Sequence, residues 1–276
     1  MSGTPAYDRT DPERRRLTLQ ATLLNPLTEA FLKRAGVTTG MRVLELGCGS
    51  GDVSLLLARL VGPEGELHSI DTDTAALRTA RARLRAEGLD HSTFEPIDLH
   101  ELKPEVRYDA VVGRHILLHV ADAEYVIRRA IELARPGGII AFQEYDFTTL
   151  PKGYPALPTA ERVLEQIFAL YRHTSPHPDI GARLYHLMHR AGLPAPEARL
   201  ESILGGGAKS PIYDWLAETY RSIAPQAQQL GLITQAEAQR SAAALANALR
   251  EEALAQEGVL VGPAMISVFA RKQTSG

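Results

Sequence analysis

Apolar positions along the chain change period several times, and each change marks an element. Between residues 11 and 36, Leu17, Leu24, Leu27, Phe31 and Leu32 recur at helical spacing. Pro26 predicts a break into two helices there, with Gly36 as the stop. From Met41 short apolar runs alternate with amphipathic stretches. Arg42–Leu46 predicts a strand and Asp52–Leu60 a helix with Val53, Leu56, Leu57 and Leu60 on one face. Leu67–Ile70 predicts a second strand, Thr74–Glu87 a helix capped by Gly88, and Thr93–Ile97 a third strand. Tyr108–Val112, a helix from Asp122 to Leu133 and a strand from Gly138 to Glu144 complete five units. Such alternation predicts a doubly wound α/β domain, with a parallel sheet covered on both faces.

Beyond residue 150 the pattern loosens. Pro151, Gly153, Pro155 and Pro158 predict a connecting segment. Ala160, Val163, Leu164, Ile167, Phe168 and Tyr171 form a helical stripe, and Ile180–Arg190 is a further helix. Glu197–Leu204 predicts a sixth strand, followed by a flexible joint at Gly205–Gly207. Residues 211 to 256 read as helical, with a capping-box pattern at Thr234 and Glu237, and Ala264–Ala270 is the last strand. The expected organisation is an N-terminal helical segment (1–36), a sheet core (37–150), a cap with its connection (151–196), and the last two strands (197–276) separated by a helical insertion at 208–258. Residues 151–178 and 211–256 are expected to form a lid over an apolar site bearing Phe168, Tyr171, Trp215 and Tyr220.

Charge narrows the partners. The chain carries 30 Lys and Arg against 33 Asp and Glu, a net charge of -3, which disfavours nucleic acid. The one short basic run, Arg14–Arg16, reads as a solvated helix face. A single cysteine, Cys48, excludes an internal disulfide and a multi-cysteine metal site. The N-terminus has no apolar stretch and no run reaches the length of a membrane span, so a cytoplasmic protein without membrane contact is expected. A homodimer is compatible with all of this.

The chemistry concentrates in Val43-Leu-Glu45-Leu-Gly47-Cys48-Gly49-Ser-Gly51. Glycines at a strand-to-helix turn let a ligand approach the backbone, at the carboxyl edge where open parallel sheets bind ligands. A dinucleotide loop needs glycine or alanine where this chain has Asp52, and no Gly-Lys-Ser/Thr follows for a phosphate-cradling loop. Glu45 can receive a cation such as an amino-acid ammonium, directly or through water, so a cofactor with an amino-acid tail and no phosphates suits the loop better than NAD. Asp71, ending the second strand, can bond both ribose hydroxyls, or it can simply begin the next helix. Asp98, ending the third, can accept from an adenine amine or cap a turn.

Together with Tyr108-Asp-Ala-Val-Val112 and Arg135-Pro-Gly-Gly138, these features resemble the class I S-adenosylmethionine-dependent methyltransferase family from Met41 through about Asp146. The resemblance implies a seven-stranded, mainly parallel sheet with its last strand antiparallel, and S-adenosyl-L-methionine extended across the strand ends. Glu13-x-x-Arg16-Leu-x-x-Gln20 and Asp179-Ile-Gly-x-Arg-Leu184 look like a bacterial ubiquinone/menaquinone-methyltransferase-like subgroup. Carried over, Glu45, Gly47, Cys48, Gly49 and Gly51 would form the cofactor loop. Asp71 and Thr72 would face the ribose, Asp98 and Leu99 the adenine, and Arg114 and His115 the cofactor's substrate side. Gln20 would close over the methionine end.

The implied reaction is metal-independent in-line methyl transfer to an O, N or C atom of a small organic molecule. His115 and Glu144 are the candidate catalytic groups. His115 and His119, four apart, lack a third ligand for zinc. Gly113-Arg-His-Ile lacks the Asn/Asp-Pro-Pro-aromatic motif of nucleic-acid amine methyltransferases and the acids of the metal-dependent catechol type. Two rivals stand: an NAD-dependent oxidoreductase, and a non-catalytic binding protein of the same fold.

Overall fold

The structure, a computed structural model, describes residues 12–102 and 107–274, with backbone only for 12–14. The side chains of Glu13 and Arg14, singled out above, lie outside what is described. Two compact units emerge. One contains the described residues up to Leu24, Thr149–Thr174 and Ser202–Pro263; the other contains Asn25–Thr148, Ser175–Glu201 and the chain from Ala264.

The second unit is built on a seven-stranded sheet. Its strands are β1 (Arg42–Leu46), β2 (Glu66–Asp71), β3 (Ser92–Pro96), β4 (Tyr108–Arg114), β5 (Ala134–Tyr145), β6 (Glu197–Glu201) and β9 (Met265–Arg271), in the order β3-β2-β1-β4-β5-β9-β6. Neighbours from β3 to β5 are parallel, and β9 runs antiparallel between β5 and β6. This is the expected sheet, with the last strand antiparallel. The order reverses between β1 and β4, so both strands point their carboxyl ends into one crevice.

One sheet face packs on α2 (Asp52–Val61), α3 (Thr74–Ala86) and the second half of α1 (Pro12–Ala35). Val43, Leu67, Ala110, Val112, Ile139 and Ala141 meet Phe31, Leu32, Leu57, Ala58, Leu77 and Leu84 there in one buried cluster. The opposite face carries α4 (Ala123–Leu133) against β4 and β5, and α6 (Ile180–Arg190) against β5 and β9. The sequence pattern grouped α6 with a cap, but its stripe of Ile180, Leu184, Leu187 and Met188 is buried on the sheet. At the amino edge, Asp109 accepts from the Arg42 amide at 2.7 Å and pairs with Arg135, tying the starts of β1, β4 and β5.

The helical unit packs α5 (Pro158–Thr174), α7 (Ile212–Gln229) and α9 (Ala242–Ala255) on one another. The short α8 (Gln235–Ala238) starts at the capping box formed by Thr234 and Glu237. Phe168, Trp215 and Tyr220, expected to line an acceptor site, are buried inside this unit. Arg15 from the basic run reaches Glu218 at 3.2 Å. β7 (Leu204–Gly206) and β8 (Val259–Val261) form a separate two-stranded antiparallel ribbon, so the predicted strand 197–204 is in fact two strands in two sheets. Ser202 and Ile203 bond to Gly262 between them, and that turn breaks the register.

Pro26 does not split α1, which is continuous from Pro12 to Ala35. A proline removes one helical hydrogen bond but leaves those on either side intact. The division between the two units falls between Leu24 and Asn25, immediately before it.

Gly51 begins α2 with φ 86, and a Cβ there would stand 2.8 Å from Ala80 Cβ and 3.0 Å from its Cα. Gly88 has φ 70 but open space around it. Gly51→Ala should therefore cost clearly more stability than Gly88→Ala. We expect roughly 2–3 kcal/mol against about 1 kcal/mol in denaturant unfolding; equal losses would mean the α2–α3 contact yields freely.

Candidate cofactor and active site

The carboxyl ends of β1 and β2, the segment after β3 and the segment after β4 enclose a cavity of about 570 Å³. Gly47, Asp71, Thr72, Asp98 and Leu99, five of the residues assigned above to the cofactor, line it together. Its apolar wall is Leu46, Ile70, Ile97, Ile116, Val120 and Val126, and its mouth carries His100, His119, Asp122 and Tyr125. The His100 and Tyr125 rings stack with centroids 4.4 Å apart. A slot with apolar walls and carboxylates at the strand ends fits a flat heteroaromatic base joined to a diol.

Each carboxylate is already oriented by backbone. Asp71 Oδ2 accepts from the Gly49 amide at 2.8 Å, and its Oδ1 from the Asp73 amide at 2.9 Å. Asp71 thus ties the glycine loop to the end of β2. Asp98 Oδ1 accepts from the His100 amide at 2.9 Å and caps the 3-10 turn Leu99–Glu101. Each oxygen keeps a further lone pair for a ligand.

In the loop itself, Gly47, Gly49 and Gly51 all have positive φ. They are not equivalent. A Cβ on Gly47 would meet the Ile116 side chain at 2.6 Å, whereas one on Gly49 would meet nothing within 4 Å. Gly49 is the position that leaves its backbone open to a ligand; Gly51 serves α2–α3 packing. Cys48 is buried, its thiol donating to the Gly49 carbonyl at 3.7 Å, and burial pushes its pKa up, so it is inert packing.

Glu45 is buried beneath the loop. Ser54 and Ser69 donate to its Oε2 at 2.6 and 2.7 Å, and neither hydroxyl uses Oε1. Burial raises its pKa to about 7, against the two hydroxyls, which lower it. Arg114 is on the same sheet face, because Glu45 pairs in register with Val112 two residues earlier.

The candidate catalytic residues separate. His115, just past β4, has φ 55, donates its amide to the Gln143 carbonyl at 2.9 Å and stacks on Tyr145 with centroids 4.1 Å apart. Glu144 is wholly buried on the opposite face. Its Oε1 accepts from the Ile116 and Leu117 amides at 2.9 and 2.8 Å, and its Oε2 has no hydrogen-bond partner among the described residues. Burial lifts its pKa to about 8 despite those backbone bonds. It shares its face with Asp146, which accepts from the Thr148 and Ala182 amides. Both acids therefore hold backbone. Gln20, in the helical unit, accepts from Arg16 Nη1 at 3.0 Å.

Sequence reasoning missed Ile97, His100, Ile116, His119, Val120 and Tyr125. Their only local signal was position just beyond a strand's carboxyl end, which does not say which side chains turn inward. Among the described residues, no group of three or more His, Cys, Asp or Glu is placed to hold a metal, and no helix is long and apolar enough to cross a membrane.

The comparisons with known proteins agree with this geometry. The ubiquinone/menaquinone biosynthesis C-methyltransferase UbiE of Pseudomonas paraeruginosa is 28% identical over 162 residues, which cover 54% of this chain and 63% of that protein. The chain thus spans less than two thirds of the curated relatives it matches. Among solved structures, the cyclopropane-fatty-acyl-phospholipid synthase-like protein of Lactobacillus casei aligns over 98% of this chain and 96% of its own, with TM-score 0.55 and 16% identity. The Haemonchus contortus phosphoethanolamine N-methyltransferase 2, solved with S-adenosylhomocysteine, aligns over 89% of this chain and 52% of its own, with TM-score 0.53 and 19% identity. At these identities the two structures support the fold. The family described as "Methyltransferase domain" matches residues 38–192, over half of the chain, and the chain belongs to that family.

Proposed function

We propose that the protein is an S-adenosyl-L-methionine-dependent methyltransferase acting on a small organic molecule without a metal. The observation that carries this reading is the cavity at the β1/β4 crevice, where Gly47, Asp71, Thr72, Asp98 and Leu99 converge. Bound there, the cofactor supplies a methyl group already activated by sulfonium. Asp71 would take the ribose hydroxyls, Asp98 the adenine amine, and the apolar wall the base itself. The chain then needs only to align the acceptor and keep water out, and such alignment removes roughly 7–11 kcal/mol of barrier. UbiE is named a C-methyltransferase. We leave O, N and C acceptors open for this chain, since only part of UbiE is matched. Near-balanced charge favours a small acceptor over a polyanion.

Within this reading His115 is the group for an acceptor proton, where one must leave. Glu144 is a positioning residue, because its buried carboxyl pins the Ile116–His119 turn that forms one cavity wall. This replaces the direct catalytic part that its place at the end of β5 suggested.

Calorimetry tests the cofactor. The protein should bind S-adenosyl-L-methionine and S-adenosylhomocysteine but not NAD. Gly49→Val, which fills the open space above the loop, should abolish that binding in a folded protein; unchanged affinity would falsify the site. His115→Ala should lower turnover on the true acceptor about 100-fold or more while leaving cofactor affinity within a few-fold, as removal of an acid–base group does. Turnover at the parental rate would take His115 out of the reaction.

Glu144 gives a pH signature. Its folded pKa near 8 lies above the ordinary 4.5, so stability is full below pH 4.5 and falls as pH rises through 8. Glu144→Gln keeps the neutral form and its carbonyl acceptor. Urea midpoints measured across that window should fall less steeply in the Gln variant than in the parent. Glu144→Ala should weaken S-adenosylhomocysteine binding, and Gln should restore it; an Ala variant binding like the parent would leave the turn independent of Glu144.

A further inference from the structure

The β7–β8 ribbon of the helical unit is apolar on both faces. Tyr154 adds a third row to it: its amide donates to the Val259 carbonyl at 3.1 Å, and its carbonyl accepts from the Val259 amide at 3.0 Å. β7 lies on the other side of β8, with Gly206 opposite Val259 and Leu204 opposite Val261. Residues paired across an antiparallel ladder share a face, as do alternate residues of one strand. Tyr154, Val259, Gly206, Val261 and Leu204 therefore project to one side. Leu260 and Gly205 project to the other, which packs on the start of α7. Leu260 is buried there, and a Cβ on Gly205 would stand 2.3 Å from the Ile212 side chain.

The first side departs from the usual pattern. An antiparallel ribbon packed on one face normally carries polar residues on the other. Here Tyr154 is 80% exposed and Leu204 67%, with Val259 and Val261 half-buried between them. No polar side chain interrupts these positions. Contiguous exposed apolar surface marks an interaction site.

Shape and charge both fit a second copy of the chain. Tyr154 and Gly206 stand on opposite sides of Val259 in one row: a protruding ring, and an exposed position without a side chain. A half-turn about an axis along β8 exchanges the two sides of the ribbon and keeps its ends in place. It lays the Tyr154 ring of each copy over Gly206 of the other, and Val259 and Val261 meet their own counterparts on the axis. The charges agree with the same axis. Beyond the Gly206–Val259 pair lie Lys209 and Glu257, both exposed and neither with an ion-pair partner among the described residues. Because the ends coincide, Lys209 of each copy comes to Glu257 of the other. The third charge of these segments, Lys152, precedes Tyr154 by two residues and lies towards the opposite end.

We propose that this face of the ribbon joins two copies of the chain about a two-fold axis along β8. The inference concerns the helical unit alone and stands whether or not the chain transfers methyl groups. Sedimentation equilibrium of the whole chain over a concentration series tests it, and the parent should show a monomer–dimer equilibrium. Each substitution acts twice in a two-fold interface, so Tyr154→Ser and Leu204→Lys should each raise the dissociation constant about 100-fold or more. Both side chains are exposed, so the urea midpoints of the monomers should match the parent. Charge reversal is more specific. Lys209→Glu and Glu257→Lys should each raise the constant about tenfold, and the double variant should return it to within a few-fold of the parent. A surface that binds anything other than itself gives no such recovery, and losses that simply add in the double variant overturn the two-fold pairing. A parent that stays monomeric up to roughly 1 mM, the weak end of specific association, overturns the proposal. So does a dimer that survives Tyr154→Ser and Leu204→Lys, which puts the interface elsewhere. A monomeric parent that floats with phosphatidylglycerol vesicles, and ceases to on Tyr154→Ser, assigns the face to lipid and overturns it as well.

Discussion

The turn from β1 into α2 constrains the rest of the sheet unit. The chain must leave a buried strand, reverse, and begin a helix whose N-terminus faces the same crevice. Three left-handed residues in five positions accomplish this, and only glycine adopts that conformation repeatedly without strain. The turn is not held by its own sequence. Asp71 anchors it through the Gly49 amide, Ile116 closes over Gly47, and Ala80 fits against Gly51. Strand β2, helix α3 and the segment after β4 each supply one of these supports, so the loop has its shape only once all three are in place.

The same economy governs the polar groups under the sheet's carboxyl edge. Glu45, Gln143 and Glu144 are buried there, and Arg114 is half-buried beside them. Buried polar groups persist where each finds partners. Glu45 takes two hydroxyls, Gln143 bridges α1 to β9, and Glu144 takes two backbone amides. The two carboxyls respond by raised pKa, which lets them stay neutral where charge would be costly. Arg114 cannot shed its proton in this way, and it donates instead to Asn25 and Thr28 on α1.

Alternation of period let the five βα units, the glycine loop and the acids ending β2 and β3 be read directly. Each is set by neighbours a few residues away: helical spacing, a strand-length apolar run, a turn that needs positive φ. Asp71 and Asp98 followed from strand ends alone. Glu144 did not. Its identity and its face of β5 were legible, but its partners are backbone amides nearly thirty residues earlier. An acid at a strand's carboxyl end reads as chemistry until its burial is known. Likewise His119 and Tyr125 reach the cavity through the course of the segment after β4, which no local pattern describes.

The amino-acid sequence by itself determined the sheet's composition, the glycine loop after β1 and the acids beside it, because these depend on local dihedral preference and on alternation along single strands. Only the tertiary structure decided that α1 runs unbroken through Pro26, that α6 belongs to the sheet, and that the predicted strand 197–204 divides between two sheets. It also decided which polar groups are partnered. Pairing, burial and helix continuity are settled by contacts between residues far apart in the chain, whose free energies outweigh local propensity.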